Sequence, residues 1–316
     1  MEDLNTMAPP EAYRALTRGP GAGLVRRLLE LARDEDLGAG GKPGDLTSLA
    51  CGLGDQRASA RIVSRSVGVV AGLAVLPEAM ALLAPACSLD RLIADASPIS
   101  VGQTLATISG PIGQILAGER TILNLLGRLS GVATATAAFV ARVRDGAGGG
   151  ARVYDTRKTT PGLRILEKYA VRCGGGYCHR LGLHDAMLIK DNHIAALGPG
   201  DLARKIEQIA RRARAMPDDR KPAFVEVEVD DLEQLRAVLS IGPGLVDIVL
   251  LDNMSPDELR QAARLRAKLA PGIQLEASGG ITIETIGAIS ATGVDRISVG
   301  AITHRARWLD IGLDLA

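Results

Sequence analysis

Short apolar runs alternate with segments of helical periodicity along the second half of the chain. The runs typical of strands are 153–154, 186–189, 224–229, 246–251, 273–277 and 296–299. The segments typical of helices are 201–216, 232–239, 256–270 and 283–291. Strand–helix units repeated at this size predict an α/β protein with a parallel sheet. About six or seven such units favour closure into an α/β barrel over an open sheet.

The first half follows a different pattern. It predicts an amphipathic helix from Leu24 to Leu37, an alternating strand at 58–70, a helix at 71–84, short strands between 91 and 115, and a long helix at 119–144. We therefore expect an α/β sandwich domain with an antiparallel sheet at 24–118 and a catalytic barrel at 119–303. Residues 1–23 are polar and rich in Pro and Gly, which predicts a loose lead segment, and 146–150 predict a linker. The segment 304–316 is expected to return to the N-terminal domain.

Charged residues and glycines stand at the ends of the predicted strands. They are Arg157 and Lys158, Lys190, Glu226 and Glu228, Asp252, then Ser278, Gly279 and Gly280, and finally Gly300. Because a barrel of this kind carries its active site at the carboxyl ends of its strands, these residues predict a ligand site.

The last two strand ends predict a phosphate site. Gly279 and Gly280 would expose backbone N–H groups and lead into a helix whose N-terminus favours an anion. The carboxylates of Glu228 and Asp252 suit Mg²⁺, bound directly or through water. The alternative is that they only neutralise nearby lysines. Lys190 has a second interpretation as a Schiff-base lysine, although its neighbours are cationic and include no obvious base.

The stretch from residue 155 to 193 concentrates cations. It holds seven Lys and Arg residues against four acids, together with three of the four histidines: Arg157, Lys158, Arg164, Lys168, Arg172, Arg180 and Lys190, with His179, His184 and His193. These cations repel one another unless an anion joins them, which predicts a pocket for a phosphate or carboxylate ligand. The alternative is a solvated basic face.

Charge and composition narrow the functional classes. The net charge is only +1, which argues against a nucleic-acid surface and makes the basic stretch a local feature. No apolar run is expected to span a membrane, and the N-terminus lacks an apolar signal core. The four cysteines are scattered, which predicts reduced thiols and a cytoplasmic protein. A zinc site formed by Cys173, Cys178, His179 and His184 has no common ligand spacing.

The order of several motifs resembles one enzyme family. DTRKTTPGLR, EKYAV, GGG, HR and LIKDNH follow one another from residue 155 to 193, and EDLG, DLTS, ERTILN and LSGVATAT precede them. This set resembles the quinolinate phosphoribosyltransferases, from about Leu24 onward. The resemblance implies an N-terminal sandwich domain plus an incomplete, TIM-like α/β barrel, the type II phosphoribosyltransferase fold. It also implies transfer of phosphoribose from phosphoribosyl pyrophosphate to quinolinate, which gives nicotinate mononucleotide, pyrophosphate and carbon dioxide.

The resemblance assigns roles to the candidate residues. Quinolinate would meet Arg120, Arg157, His179, Arg180 and Lys190. Phosphoribosyl pyrophosphate would meet Lys158, Lys190, Glu228, Asp252, Ser278, Gly279, Gly280 and Gly300, of which the first four are the catalytic set and Glu228 and Asp252 hold the metal.

Assembly is implied as well. Arg120 precedes the barrel, and its counterpart in the family reaches the neighbouring subunit's pocket, so we expect a homodimer with a shared active site or a higher assembly such as a hexamer. Cys178 replaces the usual Asn or Ser before the His-Arg pair, and the chain has an extra GKPG at 41–44.

Two rival functions stay open at this point. One is a transferase of the same fold associated with molybdate transport, which would use a different acceptor. The other is a barrel that binds a phosphometabolite without catalysis, against which the complete set of cations and acids argues.

Overall fold

The computed structural model describes residues 2–19, 21–42, 44–53, 56–145, 150–195 and 201–315. The chain folds into two compact units. The N-terminal unit comprises Glu2–Ala137, Thr159–Gly175 and Ile302–Ala316, and the barrel unit comprises Ala138–Lys158 and Gly176–Ala301. Most of the linker predicted at 146–150 and part of the insert at 41–44 lie outside the described residues.

The described strands are β1 (Arg57–Ser64), β2 (Gly68–Val69), β3 (Ser88–Arg91), β4 (Pro98–Ile99), β5 (Thr104–Pro111), β6 (Arg152–Tyr154), β7 (Met187–Ile189), β8 (Val225–Val229), β9 (Ile248–Asp252), β10 (Gln274–Ser278), β11 (Arg296–Ser298) and β12 (Ile311–Leu315). The described helices are α1 (Glu2–Thr6), α2 (Pro9–Arg18), α3 (Leu24–Leu37), α4 (Leu46–Ala50), α5 (Leu76–Leu83), α6 (Ile112–Asp145), α7 (Arg164–Cys173), α8 (Asp191–Ala195), α9 (Leu202–Arg214), α10 (Leu232–Leu239), α11 (Pro256–Leu269), α12 (Ile286–Ser290) and α13 (Ala301–His304).

The N-terminal unit is built on an antiparallel sheet with the order β12-β1-β5-β3. The last strand, β12, pairs with β1 from Ala60↔Leu315 to Ser64↔Ile311. The first three residues of β1 are exposed or partly exposed, whereas its last three are buried and include Ile62 and Val63.

The long helix α6 corrects two expectations. It begins at Ile112, so the predicted domain boundary at 118/119 falls inside a continuous helix. By length and composition α6 could also cross a membrane, contrary to the expectation for the whole sequence. However, 72% of its most apolar 18-residue window is buried inside the structure, which is typical of the core helix of a soluble protein.

Residues 1–23 are not a loose lead segment, because they contain α1 and α2. Ala12 and Leu16 of α2 are buried, and the ring of Tyr13 meets that of Tyr169 edge-on at 5.1 Å. The apolar positions 12 and 16, four residues apart, give α2 one buried face. The abundance of Pro and Gly around them obscured this short pattern.

The barrel unit holds a parallel sheet with the order β6-β11-β10-β9-β8-β7. At the centre of the sheet, Leu250 of β9 pairs with Glu228 of β8 on one side and with Glu276 of β10 on the other. Tyr177 forms a further parallel bridge to Tyr154 at the β6 edge. Among the described strands no ladder joins β6 to β7, so the barrel is incomplete.

The helices of this sheet begin where the sequence supplies caps. Ser255 caps α11 through a capping box with Glu258, and Pro256 occupies the first turn. The Asp231 side chain accepts hydrogen bonds from the first free N–H groups of α10. These caps fix where each helix starts.

Candidate active site

The parallel register brings the predicted strand-end residues to one edge of the barrel sheet. They are Arg157 and Lys158 after β6, Lys190 after β7, Glu228 in β8, Asp252 in β9, Ser278, Gly279 and Gly280 at the end of β10, and Gly300 after β11. Ser278 and Asp252 are direct neighbours in the ladder between β10 and β9. All of these residues belong to the barrel unit, so one compact body holds them.

Lys190 and Glu228 form an ion pair across the ends of β7 and β8. The Lys190 side chain is 41% exposed and that of Glu228 is 14% exposed, so the lysine is open to solvent while the carboxylate is mostly covered. In the chain alone Glu228 is therefore neutralised by a lysine, as the simpler alternative supposed. Lys190 remains within reach of an incoming anion because of its exposure.

Arg157 and Arg180 supply the strongest sign of an anion site. Arg157 is exposed, and Arg180 is buried, with its Nη1 3.4 Å from the carbonyl oxygen of Ala186. Burial, followed by the positive charge of Arg157, lowers the pKa of Arg180. The charges of Glu226, Asp185 and Glu228 act on Arg180 in the opposite direction. A substrate carboxylate between the two guanidinium groups would add to that compensation.

The turn after β10 is shaped by glycine. Gly279 has φ +92°, and a Cβ there would come within 2.2 Å of Asn253 Oδ1. Gly280 has φ +58°, in the left-handed region as well. Consecutive residues of this kind expose backbone N–H groups to a common concave face, which suits a phosphate.

The helix expected directly after this turn is displaced. It begins only at Ile286, because Thr282 and Thr285 exchange hydrogen bonds and hold a turn in between. The backbone of the glycine turn, rather than a helix N-terminus, is therefore the candidate phosphate cradle.

The donors expected to hold Mg²⁺ stand on two neighbouring strands. Asp252 Oδ2 accepts a hydrogen bond of 2.7 Å from the side chain of Asn253, and the Asp252 residue is partly exposed. Mg²⁺ keeps several waters and takes only one or two carboxylates beside substrate phosphates. An accessible aspartate next to a covered glutamate suits that mode of binding.

A second cluster of charged groups is buried inside the barrel. His179 Nε2 lies 2.9 Å from Glu226 and 3.3 Å from Glu276, and Arg296 Nε donates to Glu276 at 2.6 Å. Glu226 and Glu276 are completely buried. The guanidinium carbon of Arg296 also lies 3.8 Å from the centre of the Tyr154 ring.

The pKa values of this cluster shift through burial and mutual charge. Burial lowers the pKa of His179, whereas the charges of Glu276 and Glu226 raise it. Burial, followed by the charge of Glu276, raises the pKa of Glu226. The backbone N–H of Arg180 points at His179 Nδ1 from 2.8 Å, so Nδ1 accepts that hydrogen bond and is not the protonated ring nitrogen.

The sequence pattern predicts Glu226 as a strand-end residue and gives the metal to Glu228, but it does not predict Glu276 or Arg296 as site residues. The available signal was a charged residue inside an otherwise apolar strand, as in VEVEV and QLEAS. Buried charges need partners, so each such residue predicts a partner of opposite charge nearby.

Two further expectations concern residues outside this cluster. Arg120 lies on the part of α6 that belongs to the N-terminal unit, where its side chain is 66% exposed and 4.0 Å from Glu119. The zinc alternative finds no support: among the described residues the only group of three or more possible metal donors is His179, Glu226 and Glu276. The four cysteines are free thiols, as expected.

Comparison with known proteins points to one family. Residues 45–130 match the family described as quinolinate phosphoribosyl transferase, N-terminal domain, and residues 132–314 match the corresponding C-terminal domain. Together the two matches cover most of the chain.

Named relatives and solved structures agree with this match. The chain is 42% identical over 292 residues to the probable nicotinate-nucleotide pyrophosphorylase [carboxylating] of Bacillus subtilis, covering 92% of this chain and 93% of that protein. It is 41% identical to the Mycobacterium leprae nicotinate-nucleotide pyrophosphorylase, covering 92% and 97%. The solved structure of the enzyme from Francisella tularensis superposes with a TM-score of 0.79 at 34% identity, covering 93% of this chain and 96% of that one.

Proposed function

The chain belongs to the quinolinate phosphoribosyltransferase family, and from this premise we propose how its strand ends perform the family's reaction. The enzyme transfers phosphoribose from phosphoribosyl pyrophosphate to quinolinate in NAD biosynthesis. The pyridine nitrogen forms a bond to C1′ of the ribose while the bond from C1′ to pyrophosphate breaks. Carbon dioxide then leaves from the ring carbon next to the nitrogen. That carbon keeps the electron pair of the broken bond and takes up a proton. Nicotinate mononucleotide is the product.

Recognition of quinolinate requires several cations, because it carries two carboxylates. Arg157 and Arg180 are the principal pair in the barrel unit, and the gathering of Arg157, Lys158 and Lys190 at one edge of the barrel sheet is the observation that carries the proposal. Lys190 extends the positive surface towards Glu228. Arg120 of the partner subunit would complete the pocket in a homodimer.

The donor would be held at the same edge of the sheet, chiefly by the turns after β10 and β11. Ser278, Gly279, Gly280 and Gly300 supply hydroxyl and backbone N–H groups for its 5′-phosphate. Lys158 and Lys190 face the charge that develops on the departing pyrophosphate. Mg²⁺, held by Glu228 and Asp252 directly or through water, would neutralise part of the same charge.

The covered Glu228 carboxylate also has an electrostatic role. C1′ becomes positively charged as pyrophosphate departs, and the negative charges of Glu228 and Asp252 favour that development. Binding of the anionic donor near Lys190 would draw the lysine from Glu228, which frees the carboxylate.

We also propose that the protein is cytoplasmic, because its four cysteines are free thiols.

Incubation of the protein with quinolinate, phosphoribosyl pyrophosphate and Mg²⁺ tests this function. We expect nicotinate mononucleotide and carbon dioxide in equal amounts, and loss of turnover when a chelator removes the metal. Absence of the mononucleotide would contradict the assigned reaction, and full turnover in the chelator would contradict the metal.

A further inference from the structure

His179 stands directly before Arg180, the proposed quinolinate ligand, yet its ring is turned inward. The His179 residue is only 5% exposed, and its ring lies edge-on to Phe224 at 5.6 Å. Its Nε2 faces the buried carboxylates of Glu226 and Glu276 at 2.9 and 3.3 Å. Its Nδ1 lies 2.8 Å from the backbone nitrogen of Arg180.

These contacts fix the tautomer of the ring. A backbone N–H can only donate, so Nδ1 must offer its lone pair to Arg180. The ring proton is then on Nε2, which lies 2.9 Å from Glu226 and 3.3 Å from Glu276. Both ring nitrogens are thereby engaged by the protein itself.

The same tautomer argues against a metal at this buried cluster. A histidine that binds a metal through one nitrogen donates the N–H of the other nitrogen to a partner. Here the other nitrogen accepts a hydrogen bond instead. Arg296 also donates to Glu276 at 2.6 Å, so a cation already occupies that carboxylate.

The segment around Arg180 is held at further points. Asp155 accepts a hydrogen bond of 2.7 Å from the backbone N–H of His179. Asp185 accepts two more from Leu181 and Gly182, at 2.7 and 2.8 Å. The backbone N–H groups on both sides of Arg180 are therefore fixed by carboxylates, and that of Arg180 itself is fixed by the ring of His179.

We propose that Glu226 and Glu276 hold the ring of His179, and that His179 in turn orients Arg180 for the carboxylate of quinolinate. This inference rests on the proposed function and refines it, because it makes His179 a positioning residue rather than a ligand of quinolinate. Glu226 and Glu276 then affect acceptor recognition without touching the substrate.

Replacement of Glu226 tests this role. Glu226→Leu removes the nearer of the two polar groups that face Nε2, whereas Glu226→Gln keeps a polar side chain of the same length. We expect the leucine variant to raise the KM for quinolinate roughly tenfold, and the glutamine variant to restore most of that loss. The KM for phosphoribosyl pyrophosphate should change less than about twofold, since the donor does not depend on Arg180. Glu233→Gln, an exposed glutamate on α10, is the matched control.

Equal increases in the KM for both substrates, or an unchanged KM for quinolinate in Glu226→Leu, would overturn the proposal. The unmodified protein must first turn over quinolinate, because failure at that step would instead contradict the proposed function.

A measurement on the unmodified protein avoids any loss of folding in the variants. The chain has four histidines, so ¹⁵N-labelled histidine gives a simple spectrum, and His179→Asn assigns the ring. We expect the Nδ1 resonance of His179 to show an unprotonated nitrogen both before and after quinolinate is added. A protonated Nδ1 in either state, or a tightly retained transition metal in the purified protein, would overturn the positioning role.

Discussion

Lys190 is the residue at which the proposed acceptor and donor sites meet. It is paired with Glu228, and it is exposed enough to reach a substrate phosphate or carboxylate. The proposed role is electrostatic, so the side chain should matter for the rate and little for folding. Its backbone N–H is held separately, by the ring of His193 at 3.0 Å.

Lys190→Ala should lower kcat by about 10²–10³, the range seen when one group that stabilises transition-state charge is removed. Steady-state kinetics measure the loss, and thermal unfolding checks that the fold survives. Lys268→Ala, an exposed lysine on α11, is the control and should retain normal kinetics. Trapping of a covalent adduct on Lys190 by borohydride would move the protein to the Schiff-base class.

Gly279 offers a second test at the scale of one residue. Gly279→Ala places a Cβ in a left-handed position and against Asn253, so it should destabilise the protein and weaken binding of phosphoribosyl pyrophosphate. Gly272→Ala is a matched control, since that glycine has no atom within 4 Å of an added Cβ. Calorimetry with the donor measures the effect. Unchanged donor affinity in Gly279→Ala would refute the phosphate cradle.

At the scale of elements, a buried ion pair ties α6 to α7. Arg128 donates from Nε and Nη2 to the same oxygen of Glu167, at 3.0 and 2.7 Å. Its guanidinium also donates to the carbonyl oxygens of Thr303 and Ala306, at 2.8 and 3.1 Å. Glu167 in addition accepts from the backbone N–H of Thr160 at 3.2 Å. One pair thus holds two helices, the chain after β6 and the C-terminal segment.

Arg128→Met should reduce the free energy of unfolding by about 3–5 kcal/mol, because it leaves Glu167 buried without its cation. Urea denaturation measures the loss. Arg26→Met removes an exposed i,i+4 pair with Glu30 on α3 and should cost no more than about 0.5 kcal/mol. Similar losses in both variants would contradict the importance of burial at Arg128.

These elements show how far sequence patterns reach. The helix 232–239 was predicted with its correct ends, because its capping aspartate and its apolar spacing are local signals. Helix α7 was not predicted, because buried Glu167 and Lys168 interrupt its apolar pattern. The partner of Glu167 is 39 residues away, so its burial depends on tertiary structure that no local window contains.

In the candidate site as well, features with local sequence signals were predicted and features that depend on tertiary contacts were not. The strand ends were predicted because the apolar runs locate them and the parallel register brings them together. The inward turn of His179 was not predicted, since it depends on Glu226 of β8 and Glu276 of β10.

At the scale of the whole molecule, Arg120 makes the proposed site depend on assembly. It belongs to the N-terminal unit, while the other proposed site residues belong to the barrel unit. A twofold dimer that exchanges Arg120 would give each partner's barrel a further cation for the second carboxylate.

Mixing Arg120→Ala with Lys190→Ala after dissociation and reassociation tests the exchange. Random pairing makes half of the dimers mixed, and each mixed dimer has one intact site, so roughly a quarter of the activity should return. Subunit exchange is confirmed separately by mass spectrometry of differently labelled chains. If activity stays at the level of the separate variants, Arg120 does not act across the dimer.

The central claim is that this site recognises a pyridine dicarboxylate and transfers phosphoribose to it. The most direct test is the ratio of kcat/KM for quinolinate to that for nicotinate, with the same donor and Mg²⁺. Nicotinate lacks one carboxylate and would leave site cations unpaired, so we predict a preference for quinolinate of at least about a hundredfold. Equal or faster turnover of nicotinate would contradict the claim.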